Sequence, residues 1–78
     1  MERNFIKIVL FFKIIYRNKI SIGSNVTFRK AFNIIIDENG FIEIGNNSFF
    51  NNYCSLNSMN KIKIGNNCIF GEGVKFYD

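Results

Sequence analysis

No histidine, proline or tryptophan occurs in these 78 residues. The missing histidine excludes the most. Histidine is the commonest general base near neutral pH, so an enzyme built from these residues alone needs another base. Metal chemistry is closed off in the same way. The two cysteines, Cys54 and Cys68, have no histidine to complete a zinc set, and their spacing fits no zinc pattern. Two cysteines are also too few for a disulfide scaffold, and both read as reduced, which points to a cytoplasmic protein. The lack of proline and tryptophan, with the weight of isoleucine, asparagine and lysine, fits the bias of an AT-rich genome and carries no functional signal.

Length and charge narrow the field further. A chain this short forms one small domain with a poor ratio of surface to volume, so an isolated monomer is expected to be marginal. The net charge of +4 is unevenly placed. Arg3, Lys7, Lys13, Arg17 and Lys19 face only Glu2 in residues 1–19, whereas from Ile20 onward five basic residues balance five acidic ones. The excess therefore belongs to the N-terminal segment, and a domain-wide basic surface for nucleic acid is not supported.

That segment is short of what a membrane span or an export signal requires. The run Phe5 to Tyr16, F-I-K-I-V-L-F-F-K-I-I-Y, is shorter than the ~20 apolar residues of a transmembrane helix and contains Lys7 and Lys13. No small-residue cleavage site follows it. On a helical wheel Phe5, Ile8, Val9, Phe12, Ile15 and Tyr16 share one face. Arg3, Lys7, Lys13 and Arg17 lie on the other, interleaved with Ile6, Leu10 and Ile14. The pattern suits a helix lying on an anionic membrane surface through residues 3–19. It suits still better a helix or first strand that caps the domain that follows, and both readings can hold together.

What the chain has in abundance is repetition. Lys19 to Phe28 reads K-I-S-I-G-S-N-V-T-F, Phe41 to Phe50 reads F-I-E-I-G-N-N-S-F-F, and Lys61 to Phe70 reads K-I-K-I-G-N-N-C-I-F. Stacked, these phrases form columns: Ile20, Ile42 and Ile62; Ile22, Ile44 and Ile64; Gly23, Gly45 and Gly65; Asn25, Asn47 and Asn67; Val26, Ser48 and Cys68. The register continues through Phe28, Phe50 and Phe70, then Phe32, Cys54 and Val74, then Ile34, Leu56 and Phe76. Within each copy a large apolar residue recurs every six positions, and a smaller one mostly sits two before the next large one. Phe32 is the exception.

Six residues make one short strand and one turn, and three such strands close a triangular coil of about 18 residues whose copies stack as parallel sheets. The period-two alternation of Ile20-Ser21-Ile22 and Ile42-Glu43-Ile44 excludes a helix. The large residue fills the interior, and the small one, including Cys54 and Cys68, packs near a corner rather than acting as a nucleophile. Asparagine before the small residue suits a turn because it tolerates left-handed backbone angles. The column Asn25, Asn47 and Asn67 is a candidate amide ladder. The copies are spaced 22 and 20 residues apart. The surplus over about 18 falls in Asp37-Glu38-Asn39-Gly40 and in Ser58-Met59-Asn60, which predict loops at the same corner of successive coils.

The three I-G-x-N phrases resemble the hexapeptide-repeat acyltransferases over about Ile20 to Asp78, nearest in pattern to the maltose, galactoside and capsular-polysaccharide O-acetyltransferases. The stretch Ile64-Gly65-Asn66-Asn67-Cys68, with Gly71, Val74, Tyr77 and Asp78, carries the likeness most strongly. The resemblance implies an all-β fold, a left-handed parallel β-helix of about three coils, with the basic segment 1–19 before a repeat domain 20–78. It implies acetyl transfer from acetyl-CoA directly to a sugar hydroxyl in surface-polysaccharide biosynthesis, with a histidine as general base, and a homotrimer with sites between subunits.

Asn51, in Phe50-Asn51-Asn52-Tyr53-Cys54, matches the family's acceptor-lining asparagine, and an amide offers a hydroxyl both donor and acceptor. Asn52 and Tyr53 are further candidates on the same cleft, and Tyr77 and Asp78 stand where the family's active site begins. As a chain end these last two are also expected to fray. The family's histidine normally follows within a few residues of that Tyr-Asp pair, and its CoA-binding coils lie further on. The expectation is therefore an incomplete enzyme, cytoplasmic or peripheral at the inner membrane face, whose open sheet edges invite aggregation. The alternative is a non-catalytic β-helix module for binding or structure. A metal-dependent carbonic anhydrase on such coils would need histidines that are absent.

Overall fold

Alternating apolar residues, punctuated every few positions by glycine and asparagine, produce strands of two to four residues separated by tight turns. The computed structural model describes residues 3–78, with side chains described from Val9 onward. Helix α1 (Arg3–Ile15) is followed by nine strands: β1 (Ile20–Ile22), β2 (Thr27–Phe28), β3 (Asn33–Ile36), β4 (Ile42–Ile44), β5 (Phe49–Phe50), β6 (Ser55–Ser58), β7 (Ile62–Ile64), β8 (Ile69–Phe70) and β9 (Lys75–Tyr77). They form three parallel three-stranded sheets, β1-β4-β7, β2-β5-β8 and β3-β6-β9. The chain thus visits each sheet in turn and does so three times.

The register matches the columns residue for residue. Ile20 pairs with Ile42 and Ile42 with Ile62; Phe28 pairs with Phe50 and Phe50 with Phe70; Ile34 pairs with Leu56 and Leu56 with Phe76. Because a strand alternates its faces, Ile42 and Ile44 both point inward with Glu43 between them. Phe28, Ile42, Phe50, Cys54 and Leu56 are fully buried. Phe28 and Phe50 lie 5.4 Å apart between ring centroids, and Phe50 stacks on Phe70 at 4.8 Å, so an aromatic file runs along the interior.

Two corners turn through left-handed backbone. Asn25, Asn47 and Asn67 have φ of 58°, 62° and 59°, as their column requires. Ala31, Tyr53 and Gly73 form the second left-handed column, at 57°, 63° and 75°. Glycine is the residue that adopts this conformation without a Cβ penalty, so Ala31 and Tyr53 hold it at some cost. The third corner carries the two expected loops, Asp37–Gly40 closed by Gly40 N donating to Asp37 O at 2.8 Å, and the bend at Met59 and Asn60.

The N-terminal segment is a helix rather than a strand, and it lies over the first coil. Phe12 is buried edge-on against Phe28 and Phe32, with centroids 5.8 and 6.0 Å away. Val9 and Tyr16 pack beside it, and the Tyr16 hydroxyl donates to Ile34 O at 3.2 Å. This explains Phe32, the large residue in a small-residue column. Stacked on Phe28 at 4.1 Å, it fills space beneath the helix that the next coil does not offer. One part of the expected apolar face is corrected. Ile15 does not join Val9, Phe12 and Tyr16 but is 53% exposed, because the contact is only as wide as the Phe28–Phe32 pair. The side chains of Arg3, Phe5, Ile6, Lys7 and Ile8, also assigned to faces of this helix, lie outside the described residues.

Candidate functional site

The candidate residues Asn51, Asn52 and Tyr53 make the turn between β5 and β6, on the outside of the stack. Phe50 is anchored in the core, so the chain must turn the corner to the next sheet at once, and Tyr53 does so with φ of 63°. Asn51 N donates to Phe70 O at 3.2 Å, and its Oδ1 accepts from Asn52 N at 2.8 Å. Asn52 bridges coils in both directions. Its Oδ1 accepts from Lys30 N at 3.1 Å, and its Nδ2 donates to Glu72 Oε2 at 3.4 Å. Tyr53 N donates to Lys30 O at 2.8 Å, while its ring is half exposed. Asn51 and Asn52 therefore do structural work, and the Tyr53 ring faces outward.

Tyr77 and Asp78 lie elsewhere. Tyr77 ends β9 opposite Asn57 and is largely exposed. Asp78 is not frayed but tied to the third corner. Oδ1 accepts from Met59 N at 2.6 Å, Oδ2 accepts from Asn60 N at 2.9 Å, and Oδ2 also lies 3.2 Å from the Ser58 hydroxyl. These donors, the Met59 amide first, hold its carboxyl below the ordinary value of 3.8, against a smaller opposing effect of desolvation. The two candidate groups thus occupy opposite ends of the third sheet. Tyr53 stands two residues before β6 and Tyr77 pairs with Asn57 near its far end, a separation of four residue steps, roughly 13 Å at strand spacing.

Between the groups, Asn57 has a buried Oδ1 with no hydrogen-bond partner. It is flanked on the sheet by Ile35 and Tyr77. Sequence reasoning missed this residue, since the column Ile35, Asn57 and Tyr77 shows no regularity to draw attention. The other missed group is a pair of stacked asparagines: Asn46 Oδ1 accepts from Ser24 N at 2.8 Å, and Asn66 Oδ1 accepts from Asn46 N at 2.7 Å. The expected ladder one position later has one side-chain step, Asn25 Nδ2 to Asn47 Oδ1 at 3.2 Å.

Cys54 is fully buried with its thiol 3.2 Å from Gly71 O, and Cys68 is partly buried; both are free thiols in the small-residue columns. Among the described residues no group of three or more His, Cys, Asp or Glu could hold a metal ion, and no helix is long and apolar enough to cross a membrane. No family model, curated protein or solved structure matches this chain.

Proposed function

We propose that the three-sheet stack is a left-handed parallel β-helix of the hexapeptide acyltransferase type, contributing to acetyl-CoA-dependent O-acetylation of a sugar hydroxyl in surface-polysaccharide biosynthesis. The observation that supports this most is the residue-for-residue match of the I-G-x-N columns to stacked parallel strands with left-handed asparagine corners. The hand of the coil comes from the resemblance. Ordinary parallel crossovers are right-handed, so the left hand is a specific commitment.

In this reading the acceptor hydroxyl meets the corner of Asn51, Asn52 and Tyr53. The Asn51 Oδ1 is held by the Asn52 amide, so its Nδ2 is the group that would donate to the sugar oxygen. A histidine removes the hydroxyl proton as that oxygen attacks the thioester carbonyl, and backbone donors stabilise the tetrahedral oxyanion. Thiolate leaves and takes up the proton. No histidine exists among these residues, so the base and the CoA contacts come from other polypeptide. The separation of Asn51–Tyr53 from Tyr77 and Asp78 fits the same view. Residues at opposite ends of one face act together only if a neighbouring copy brings them side by side, as a homotrimer does.

Reading the coding DNA downstream of codon 78 tests this. A continuation, in frame or frameshifted, that opens with a histidine-bearing segment supports acyl transfer, and acetylation of a glycan by the joined product, abolished by changing that histidine to alanine, completes the case. The missing histidine favours a second reading, a non-catalytic binding or structural module. A stop codon with a folded, monodisperse product would establish that one and remove the first.

A further inference from the structure

Capping the coil uses only one side of α1. Val9, Phe12 and Tyr16 turn inward, and the opposite side presents Leu10, Phe11, Ile14 and Ile15, exposed by 52%, 57%, 73% and 53%. At 100° per residue these four span a continuous arc of about 140°, centred nearly opposite the buried residues. Four large apolar side chains held open on one short helix form a patch that a soluble surface seldom carries without a partner.

We propose that this face docks on an anionic phospholipid bilayer surface, with α1 lying in the plane of the interface. The charge around it selects that occupant. Residues 3–19 hold five basic residues and no acidic one. Lys13 lies on the helix beside the apolar arc, and Arg17 and Lys19 follow directly after it, all three within the described residues. By helical phase Arg3 and Lys7 fall on this same face, two turns before Leu10 and one turn before Phe11, so the apolar patch occupies the second half of α1. An apolar helical patch with cations beside it matches anionic headgroups above an acyl layer. The same charge opposes the obvious rival. Two copies joined through this face would set five cations against five with only Glu2 of each copy to offset them. The helix has 13 residues and does not span, so the contact is peripheral. The docked face is also not the one suggested by the sequence, since Phe12 and Tyr16 are committed to the coil. This inference stands apart from acyl transfer, and either can fail alone.

Because the chain has no tryptophan, Phe11→Trp places a single fluorophore on the face. The full chain carrying F11W is titrated with phosphatidylcholine vesicles and with vesicles containing one part in four phosphatidylglycerol. The expected result is a blue shift with the anionic vesicles. Binding should be about tenfold or more tighter than to phosphatidylcholine, given the worth of two or three basic residues near a charged surface, and should weaken as salt is raised. L10S/I14S should abolish the shift while far-UV circular dichroism stays unchanged, and K13E/R17E should remove the anionic preference. Three results would overturn the proposal: no shift with anionic vesicles, equal binding to both kinds, or a lipid-free blue shift that grows with protein concentration and tracks a dimer in sedimentation. The last would assign the face to a second copy. The F11W measurement decides even if the double variants misfold.

Discussion

Three glycines occupy one column of the repeat, yet the structure assigns them different costs. At Gly45 an added Cβ would collide with Asn66 Oδ1 and would sit 2.7 Å from Gly65 C and 2.8 Å from Asn66 N. Gly65 has only Cys68 Sγ at 3.9 Å, because no other described residue packs over it. In Gly45→Ala the Asn66 side chain must swing away, losing the bond from Asn46 N, worth about 0.5–1.5 kcal/mol, and the backbone crowding adds about 1–3 kcal/mol. Against this stands a gain of about 0.4–1 kcal/mol from the stiffer unfolded chain. The net expectation is destabilisation by about 2 kcal/mol, a fall in the urea midpoint of about 2 M for a slope near 1 kcal/mol/M. Gly65→Ala keeps only the favourable part and should raise the midpoint by a few tenths of a molar unit, on the order of 0.5 M. Urea titration followed by circular dichroism reads both. Equal shifts at the two positions would refute the claim that the Asn66 side chain, folded over Gly45, sets the difference.

Replacing Phe12 by alanine should cost about 3 kcal/mol, as for a buried aromatic, whereas Phe11→Ala should stay within about 0.5 kcal/mol. Thermal melts that show the reverse order would mean the helix docks by its other side. Ala31→Gly relieves a left-handed backbone at an exposed position and should stabilise by about 0.5 kcal/mol after glycine's entropy is counted; a lower melting temperature would contradict that geometry. The carboxyl of Asp78 has its folded pKa below 3.8, so the unfolded state binds a proton more readily. Its stabilisation is present above the unfolded value and is lost as pH falls through the folded one. The urea midpoint of Asp78→Asn should therefore lie below wild type near pH 6 and converge with it in acid, and parallel pH profiles would dismiss the corner contact. Iodoacetamide on the native protein should modify Cys68 well before Cys54, with mass spectrometry of tryptic peptides as the readout; equal rates would show that Cys54 is not sealed in the core.

Much of the architecture was legible because a stacked coil obliges each column to satisfy the same geometry. Isoleucine at 20, 42 and 62 and phenylalanine at 28, 50 and 70 had one role to play, and they play it. The asparagines illustrate the limit. The regular column, Asn25, Asn47 and Asn67, supplies the left-handed turns. The stronger ladder belongs to the position before it, where Asn46 and Asn66 fold back over the glycine of the coil below. The glycine column was visible, but its reason was not. A turn residue and a close approach both leave a glycine in the sequence, and only the second needs a neighbour's side chain. Asn51, Asn52 and Tyr53 became candidates through family likeness alone, since periodicity speaks to packing and is silent on chemistry.

The helix shows why a pattern can predict an element and still misplace its face. Residues 8–12 and 14–16 are all apolar or aromatic, so they surround most of the wheel, and no single stripe stands out. What selects Val9, Phe12 and Tyr16 is the partner: Phe28 and Phe32 offer a narrow aromatic floor, and Ile34 O offers the Tyr16 hydroxyl an acceptor. A helix that needed only to cap the coil would place polar residues at 10, 11, 14 and 15, because those positions point away from it. Their apolar character is therefore unexplained by the fold, and with cations beside them it is the feature of this chain that most requires a partner outside it.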